Sequence, residues 1–171
     1  MRRKYEYVHV SHKTNIIKLV VAFCVLSWQF RQEKHLLWKS PLELLKQFMA
    51  GVSVIAFDRW KIVGHITLWH LHNGWYEAGS LWVDPECRDG GIGFNLLKNI
   101  RSHGSQYKIL LTTTNPVAIH LVEKAGYSQQ KFDYLDNQTH EATCVCGSEK
   151  TVSNCYSKCK IKNKSCKLYV G

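Results

Sequence analysis

Two stretches of this chain hold residue types that can do chemistry at the spacings shown. The first is Arg88-Asp89-Gly90-Gly91-Ile92-Gly93, which joins a run that reads as strand to a run that reads as helix. Glycines let a backbone turn tightly and let a ligand approach it closely. The amides at a helix start, with the positive end of its dipole, attract anions, and successive N–H groups can cradle a pyrophosphate. The stretch is neither a Walker A loop nor a G-x-G-x-x-G fingerprint. A tight connection that needs glycine only for shape is the plainer reading.

The second stretch is Cys-rich. Cys144-Val145-Cys146 and Cys155-x3-Cys159 stand eight residues apart, and Cys166 follows. Four thiolates suit tetrahedral structural zinc, with Cys144, Cys146, Cys155 and Cys159 as the expected ligands and Cys166 and His140 as substitutes. C-x-C is a weaker signal than C-x2-C, so free thiols and disulfides also fit. Metal would explain how a Ser/Lys/Asn-rich segment could be ordered. Cys24, in an apolar run, is expected in the core, and Cys87 is expected to be incidental.

These groups need a scaffold. Residues 4–10 alternate as a strand, and residues 15–34 read as a helix expected to be buried. Ser40-Pro41 opens a helix with the stripe Leu42, Leu45, Phe48 and Met49, closed by Gly51. Residues 53–57, 61–70 and 75–83 read as an antiparallel meander, with His72-Asn73-Gly74 as a hairpin turn. After the glycine-rich turn come a helix striped by Ile92, Leu96, Leu97 and Ile100, a buried strand over 108–114, and a helix from Asn115-Pro116 to Gly126. A strand from Tyr127, the Cys-rich segment and a terminal strand over 167–170 complete an α/β pattern.

Composition is ordinary for a globular chain: 171 residues, 45% apolar and 21% charged, which excludes a disordered tail, a collagen-like repeat and a coiled-coil rod. The formal charge is +10, concentrated in Arg2-Arg3-Lys4 and in the lysines of 158–167. Such a surface attracts nucleic acid, acidic membrane or a phosphorylated ligand without choosing among them. The apolar run Ile16–Phe30 falls short of the roughly 20 residues a membrane span needs. No secretory signal is readable and the cysteine count is odd, so the expected setting is reduced and cytoplasmic.

Val83-Asp84-Pro85-Glu86-Cys87-Arg88-Asp89-Gly90-Gly91-Ile92-Gly93 resembles the acetyl-CoA signature of the GNAT superfamily of N-acetyltransferases. That signature is Arg or Gln, two residues, Gly, one residue, then Gly or Ala, and Arg88, Gly91 and Gly93 fit it. A second block, Asn115 to Tyr127, resembles the family's later helix at a typical spacing. The close resemblance covers residues 53–134. It implies one domain over 1–171 with a mixed, largely antiparallel sheet and helices on both faces. Residues 139–166 would form an insertion between the last two strands.

The resemblance also implies roles. Leu81, Trp82 and Val83 would lie along the pantetheine arm, paired through their backbone like an added strand. Arg88, Asp89, Gly90, Gly91, Ile92, Gly93 and Phe94 would hold the pyrophosphate, with Asn115 and Ala118 touching the cofactor from the neighbouring strand end. Glu77, six residues before Val83, stands where many members carry a catalytic glutamate; a solvated strand carboxylate is its plainer role. Many members have tyrosine where this chain has Val122, and valine gives no proton. Tyr127 is expected in the core and His120 on the surface, while either His65 or His70 could line the acceptor cleft. The tryptophans, Trp60, Trp69, Trp75 and Trp82 among them, suit packing better than a cleft wall.

The implied function is transfer of an acetyl group from acetyl-CoA to a primary amine by direct attack in a ternary complex, in a monomer or homodimer. Two other readings stand beside it: an acetyl-CoA-binding sensor without turnover, and a nucleic-acid binder using the basic Cys-rich tail. Only Tyr156 and Tyr169 supply aromatic groups to that tail, which disfavours the last.

Overall fold

The computed structural model describes residues 5–8, 16–33, 36, 38–143 and 166–171. In chain order the elements are β1 (Glu6–Val8), α1 (Ile16–Gln32), α2 (Pro41–Met49), β2 (Ser53–Asp58), β3 (Lys61–His70), β4 (Trp75–Val83), α3 (Ile92–His103), β5 (Lys108–Thr113), α4 (Pro116–Lys124), β6 (Ser128–Gln130), α5 (Asn137–Thr143) and β7 (Lys167–Val170). Short 3₁₀ turns cover Pro85–Gly90 and Phe132–Tyr134.

Local chemistry sets many boundaries. Ser40 Oγ accepts from the Glu43 amide at 3.2 Å, and the Glu43 carboxylate accepts from the Ser40 amide at 2.9 Å. This reciprocal cap starts α2. At the β3–β4 turn Asn73 and Gly74 both take positive φ, 53° and 75°, which matches the twist of the flanking strands. The Asp136 carboxylate accepts from the Thr139 amide at 2.9 Å and the Thr139 hydroxyl at 2.7 Å, and so starts α5. No sequence pattern signals that helix, which begins just before the 139–166 insertion and runs into it.

The strands form one sheet in the order β1-β2-β3-β4-β5-β7-β6. Every neighbouring pair is antiparallel except β4 with β5, which is parallel. Both faces of the central sheet are covered, so β3 is buried along nearly its whole length. On one face Ile92, Leu96, Leu97 and Ile100 of α3 pack on Val54, Ile66 and Leu68. Gly64 permits that approach: a Cβ there would stand 2.7 Å from Ile92 Cγ2 and 2.9 Å from Leu96 Cδ1. On the other face Leu19, Phe23, Leu26 and Phe30 of α1 and Leu44 and Phe48 of α2 close over Ile55, Ile62 and Trp82.

Three expectations change. In α2 the buried residues are Leu44 and Phe48, while Leu42 and Met49 are exposed. At about 100° per residue, Leu42 lies some 200° from Leu44 and faces away. The helix α1 buries one stripe only: Val21, Val25 and Trp28 are more than half exposed. Cys24 lies on that outer side and is exposed rather than in the core. No helix among the described residues is long and apolar enough to cross a membrane.

Candidate active site

The parallel pair β4–β5 is short. Its register runs Trp75↔Lys108, Tyr76↔Ile109 and Glu77↔Leu110, and stops. Beyond that point β4 continues against β3 to Val83, and β5 continues against β7 to Thr113. The two strands therefore part at Glu77 and leave a gap. An extra residue bulges β4 between Gly79 and Trp82, with Ser80 at φ 54°. Bulges bend a strand and re-aim its groups, and here the bulge borders the gap.

The glycine-rich turn lies at the far end of β4. Asp84, held by Lys61 at 2.8 Å, accepts from the Glu86 amide at 3.0 Å and starts the Pro85–Gly90 turn. Gly91 then takes φ 72° and opens α3 with no side-chain cap. A Cβ on Gly91 would meet nothing within 4 Å, so space is open before the first amides of α3. These amides have no intrahelical acceptors and face that space with the positive dipole end. Gly93 does the opposite: its Cβ would press on Leu121 Cδ1 at 3.1 Å, so its small size brings α3 against α4. An elongated ligand with a pyrophosphate fits this arrangement. Its phosphates would meet the α3 amides and its arm would run along the unpaired edge of β4.

Beside α3 a cleft of about 340 Å³ is lined by Phe94, Lys98, Arg101, Ser102, Lys124 and Ala125. The Lys124 ammonium lies 5.3 Å from the Phe94 ring centre. Phe94 belongs to the set that the resemblance implies, whereas Lys98, Arg101 and Lys124 come together from two helices whose packing no local pattern reports.

Glu77 is half-buried at the head of the gap, and its carboxylate accepts from the Thr112 hydroxyl at 3.0 Å. Burial pushes its pKa above the usual value, against the Thr112 bond and the charge of Lys39, which both pull it down. Across β3–β4, Glu77 pairs with Trp69. The Lys39 ammonium lies 4.3 Å from the Trp69 ring centre, and Trp69 Nε1 donates to Ser80 Oγ at 3.3 Å. Neither Lys39 nor Thr112 carried a sequence signal. Each is two or more elements from Glu77 in the chain.

The other expected residues are dispersed. Arg88 donates from Nε to the Val83 carbonyl at 3.2 Å and pairs with Glu33 at the end of α1. Asn115 uses Oδ1 to cap α4 through the Val117 amide at 2.9 Å, and Ala118 is half-buried one turn on. Leu81 lies in the bulge, Asp89 and Gly90 are exposed, and the Ile92 side chain is fully buried under α3. The Trp82 side chain packs toward α1, with no partner for Nε1. Val122 and Tyr127 are core residues and His120 is exposed.

Neither candidate histidine fits the cleft wall. His70 is exposed on the face opposite Glu77, edge-on to Tyr76. His65 is completely buried beneath Phe30. Its Nδ1 lies 3.2 Å from the Ser80 carbonyl, which can only accept, so Nδ1 carries the proton and Nε2 has no partner. Burial lowers its pKa to about 4.

Residues 20–127 match the model of the acetyltransferase (GNAT) family. This chain is a member of the GNAT acetyltransferase family. No match was found among curated protein sequences. Solved structures share the GNAT fold. One is Rv2747 from Mycobacterium tuberculosis in complex with CoA and NLQ, at TM-score 0.64 and 17% identity, covering 97% of this chain and 99% of that one. A second is N-acetylglutamate synthase from Neisseria gonorrhoeae with coenzyme A and N-acetyl-glutamate, at TM-score 0.62 and 17% identity. It matches 98% of this chain, which spans only 34% of that enzyme. A third is Arabidopsis thaliana Naa50 with the bisubstrate analogue CoA-Ac-MVNAL, at TM-score 0.57 and 18% identity over 98% and 97% of the two chains.

Cys144, Cys146, Cys155 and Cys159, the residues expected to bind zinc in this GNAT chain, lie outside the described residues. Among the described residues no group of three or more His, Cys, Asp or Glu could hold a metal ion. His140 is buried edge-on to Phe132 at 5.5 Å, and Cys87 is buried in the core on the α3 face.

Proposed function

We propose that this GNAT member moves the acetyl group of acetyl-CoA to a primary amine by direct attack, with Glu77 as the base. The observation that carries this reading is the position of Glu77: a half-buried carboxylate with a raised pKa, at the point where β4 and β5 part. A base works best when its pKa approaches the working pH, and burial moves Glu77 that way. The amine nitrogen would bond to the thioester carbon, giving its proton to Glu77 directly or through a water, and the C–S bond would break. Because Val122 is buried and apolar, the thiolate would take its proton from solvent.

The cofactor-binding set that the resemblance implies is compatible with the same geometry. The amides from Arg88 to Phe94 would hold the pyrophosphate, with Gly91 as the open position. Leu81 and Val83 would offer backbone groups to the pantetheine arm. The Val83 carbonyl already accepts from Arg88, which leaves its amide for that role. Asn115 and Ala118 would flank the arm at the start of α4. Lys98, Arg101 and Lys124 would meet the remaining phosphate charge. The molecules in the printed names of similar structures, N-acetyl-glutamate and the bisubstrate analogue CoA-Ac-MVNAL, each carry an acetyl group joined to an amino acid or peptide and so support an amine acceptor.

Calorimetry with acetyl-CoA, followed by chromatographic measurement of CoA released with an amine panel, tests the reading. Gly91→Asp is the control. An acidic side chain at a helix start leaves the helix intact but sets a carboxylate where the pyrophosphate would lie. Since an L residue at φ 72° costs about 1–2 kcal/mol, the expected result is loss of acetyl-CoA binding by a protein that still folds, with a melting temperature lowered by about 2–8 °C. Binding without CoA release for any amine would favour a sensor without turnover, the reading that Val122 supports.

A further inference from the structure

We infer that the acceptor is a zwitterion, an amine with a carboxylate only a few bonds away, and that Lys39 is the residue that recognises the carboxylate. The inference rests on the N-acetyltransferase reading above and adds the substrate class.

Lys39 is a fixed group. Its carbonyl accepts from the hydroxyl of Ser27 at 2.7 Å, and Ser27 is a buried residue of α1. The next residue, Ser40, is locked into the cap of α2. The backbone at Lys39 is thus tied to both helices on the Glu77 side of the sheet. Its side chain is half-buried, and its ammonium rests on the Trp69 ring at 4.3 Å. Trp69 is held in turn by Ser80, in the β4 bulge, and pairs in register with Glu77.

Among the described residues, no carboxylate lies within ion-pair distance of the Lys39 ammonium. On an aromatic face only one side of the ammonium is satisfied, and N–H donors remain for an anion. The charge of Lys39 acts on both Glu77 and Glu43, but Glu43 is held in the Ser40 cap and Glu77 is bonded by Thr112 from the far side of the gap. One carboxylate and one ammonium therefore flank the Trp69 ring with opposite charges. An amine seated at Glu77 would bring a carboxylate a few bonds away within reach of Lys39. A polyamine or a cationic side chain at the same place would meet repulsion from Lys39. That cation would also favour the neutral form of an incoming amine, which is its nucleophilic form.

The test compares the proteinogenic L-α-amino acids with their α-amides, one for one, as acceptors for the full chain, with released CoA as the readout. The expected result is a KM at least 10-fold lower for the acids. Lys39→Met keeps the apolar stem on Trp69 and removes the charge. It should raise KM for the acids about 10-fold relative to the amides with acetyl-CoA affinity unchanged, while any change in kcat, from the charge lost near Glu77, should be common to acids and amides. Lys39→Glu should reverse the order. Equal KM values for acids and amides, or an equal shift of both in Lys39→Met, would overturn the inference. Should acetyl-CoA bind and no acceptor release CoA, the N-acetyltransferase reading fails on its own. The Lys39 inference is then decided by calorimetry of N-acetyl-L-amino acids and their amides on the CoA complex: tighter binding of the acids, lost in Lys39→Met, upholds it, and equal binding overturns it.

Discussion

The Thr112 hydroxyl donates to the Glu77 carboxylate at 3.0 Å across the gap that opens between β4 and β5. The bond is diagonal, because Glu77 pairs with Leu110, two residues before Thr112. It ties one wall of the gap to the other at its narrow end, and it partly offsets the burial that raises the Glu77 pKa.

Glu77→Gln keeps the size of the side chain and an acceptor for Thr112. A positioned general base contributes about 10²- to 10⁴-fold, so kcat should fall within that range with acetyl-CoA affinity unchanged. Stability should move the other way. A carboxyl whose folded pKa is raised contributes stability below its unfolded value of 4.5, and this is lost as pH rises through the folded value. Urea unfolding near neutral pH should therefore show Glu77→Gln as stable as the parent or more so, with a flatter pH dependence above 4.5.

Thr112→Val removes a bond that favours the charged carboxylate. The pKa should rise further, and the acid limb of the rate profile should move to higher pH with little change in the plateau. An unmoved limb would argue that Glu77 does not set it.

His65 is buried neutral, with a pKa lowered to about 4 from 6.5. A depressed histidine favours folding above its unfolded value, and that contribution is lost as pH falls from 6.5 towards 4. The fall should be on the order of 3 kcal/mol by linkage at 1.36 kcal/mol per unit. His65→Leu should flatten this window of the denaturation profile, even though it loses the bond to Ser80.

Gly64→Ala tests the contact of α3 with the sheet. The new Cβ would fall 2.7 Å from Ile92 and 2.9 Å from Leu96, both fully buried. Overpacking of this kind costs about 1–3 kcal/mol. At roughly 2–4 °C per kcal/mol for a chain of this size, thermal melts should show Tm lowered by about 2–12 °C.

What could be read from sequence was local. Ser40-Pro41 at a helix start, Asn73-Gly74 and Gly91 are decided by backbone and side-chain groups within four residues, so turns, caps and most element boundaries were legible. The α3 stripe of Ile92, Leu96, Leu97 and Ile100 was legible because hydrophobic period and helical period agree, and all of these residues are fully buried. The glycine-rich block Val83–Gly93 and the later block Asn115–Tyr127, in their order along the chain, pointed to the family before any contact was known. The candidate base was legible only through that resemblance, since nothing local separates Glu77 from a solvated strand carboxylate.

The tertiary structure alone decided the remainder. In α2 two apolar phases compete, and contact with the sheet selects Leu44 and Phe48 over Leu42 and Met49. Cys24 faces outward because α1 has only one side to bury. The site is assembled from Lys39 before α2, Trp69 on β3, Glu77 on β4 and Thr112 on β5. A carboxylate's pKa depends on desolvation and on charges from distant parts of the chain, and these exist only once the chain has folded. Sequence therefore determined which local structures form and to which family they belong, while folding determined which side chains meet and what chemistry their meeting allows.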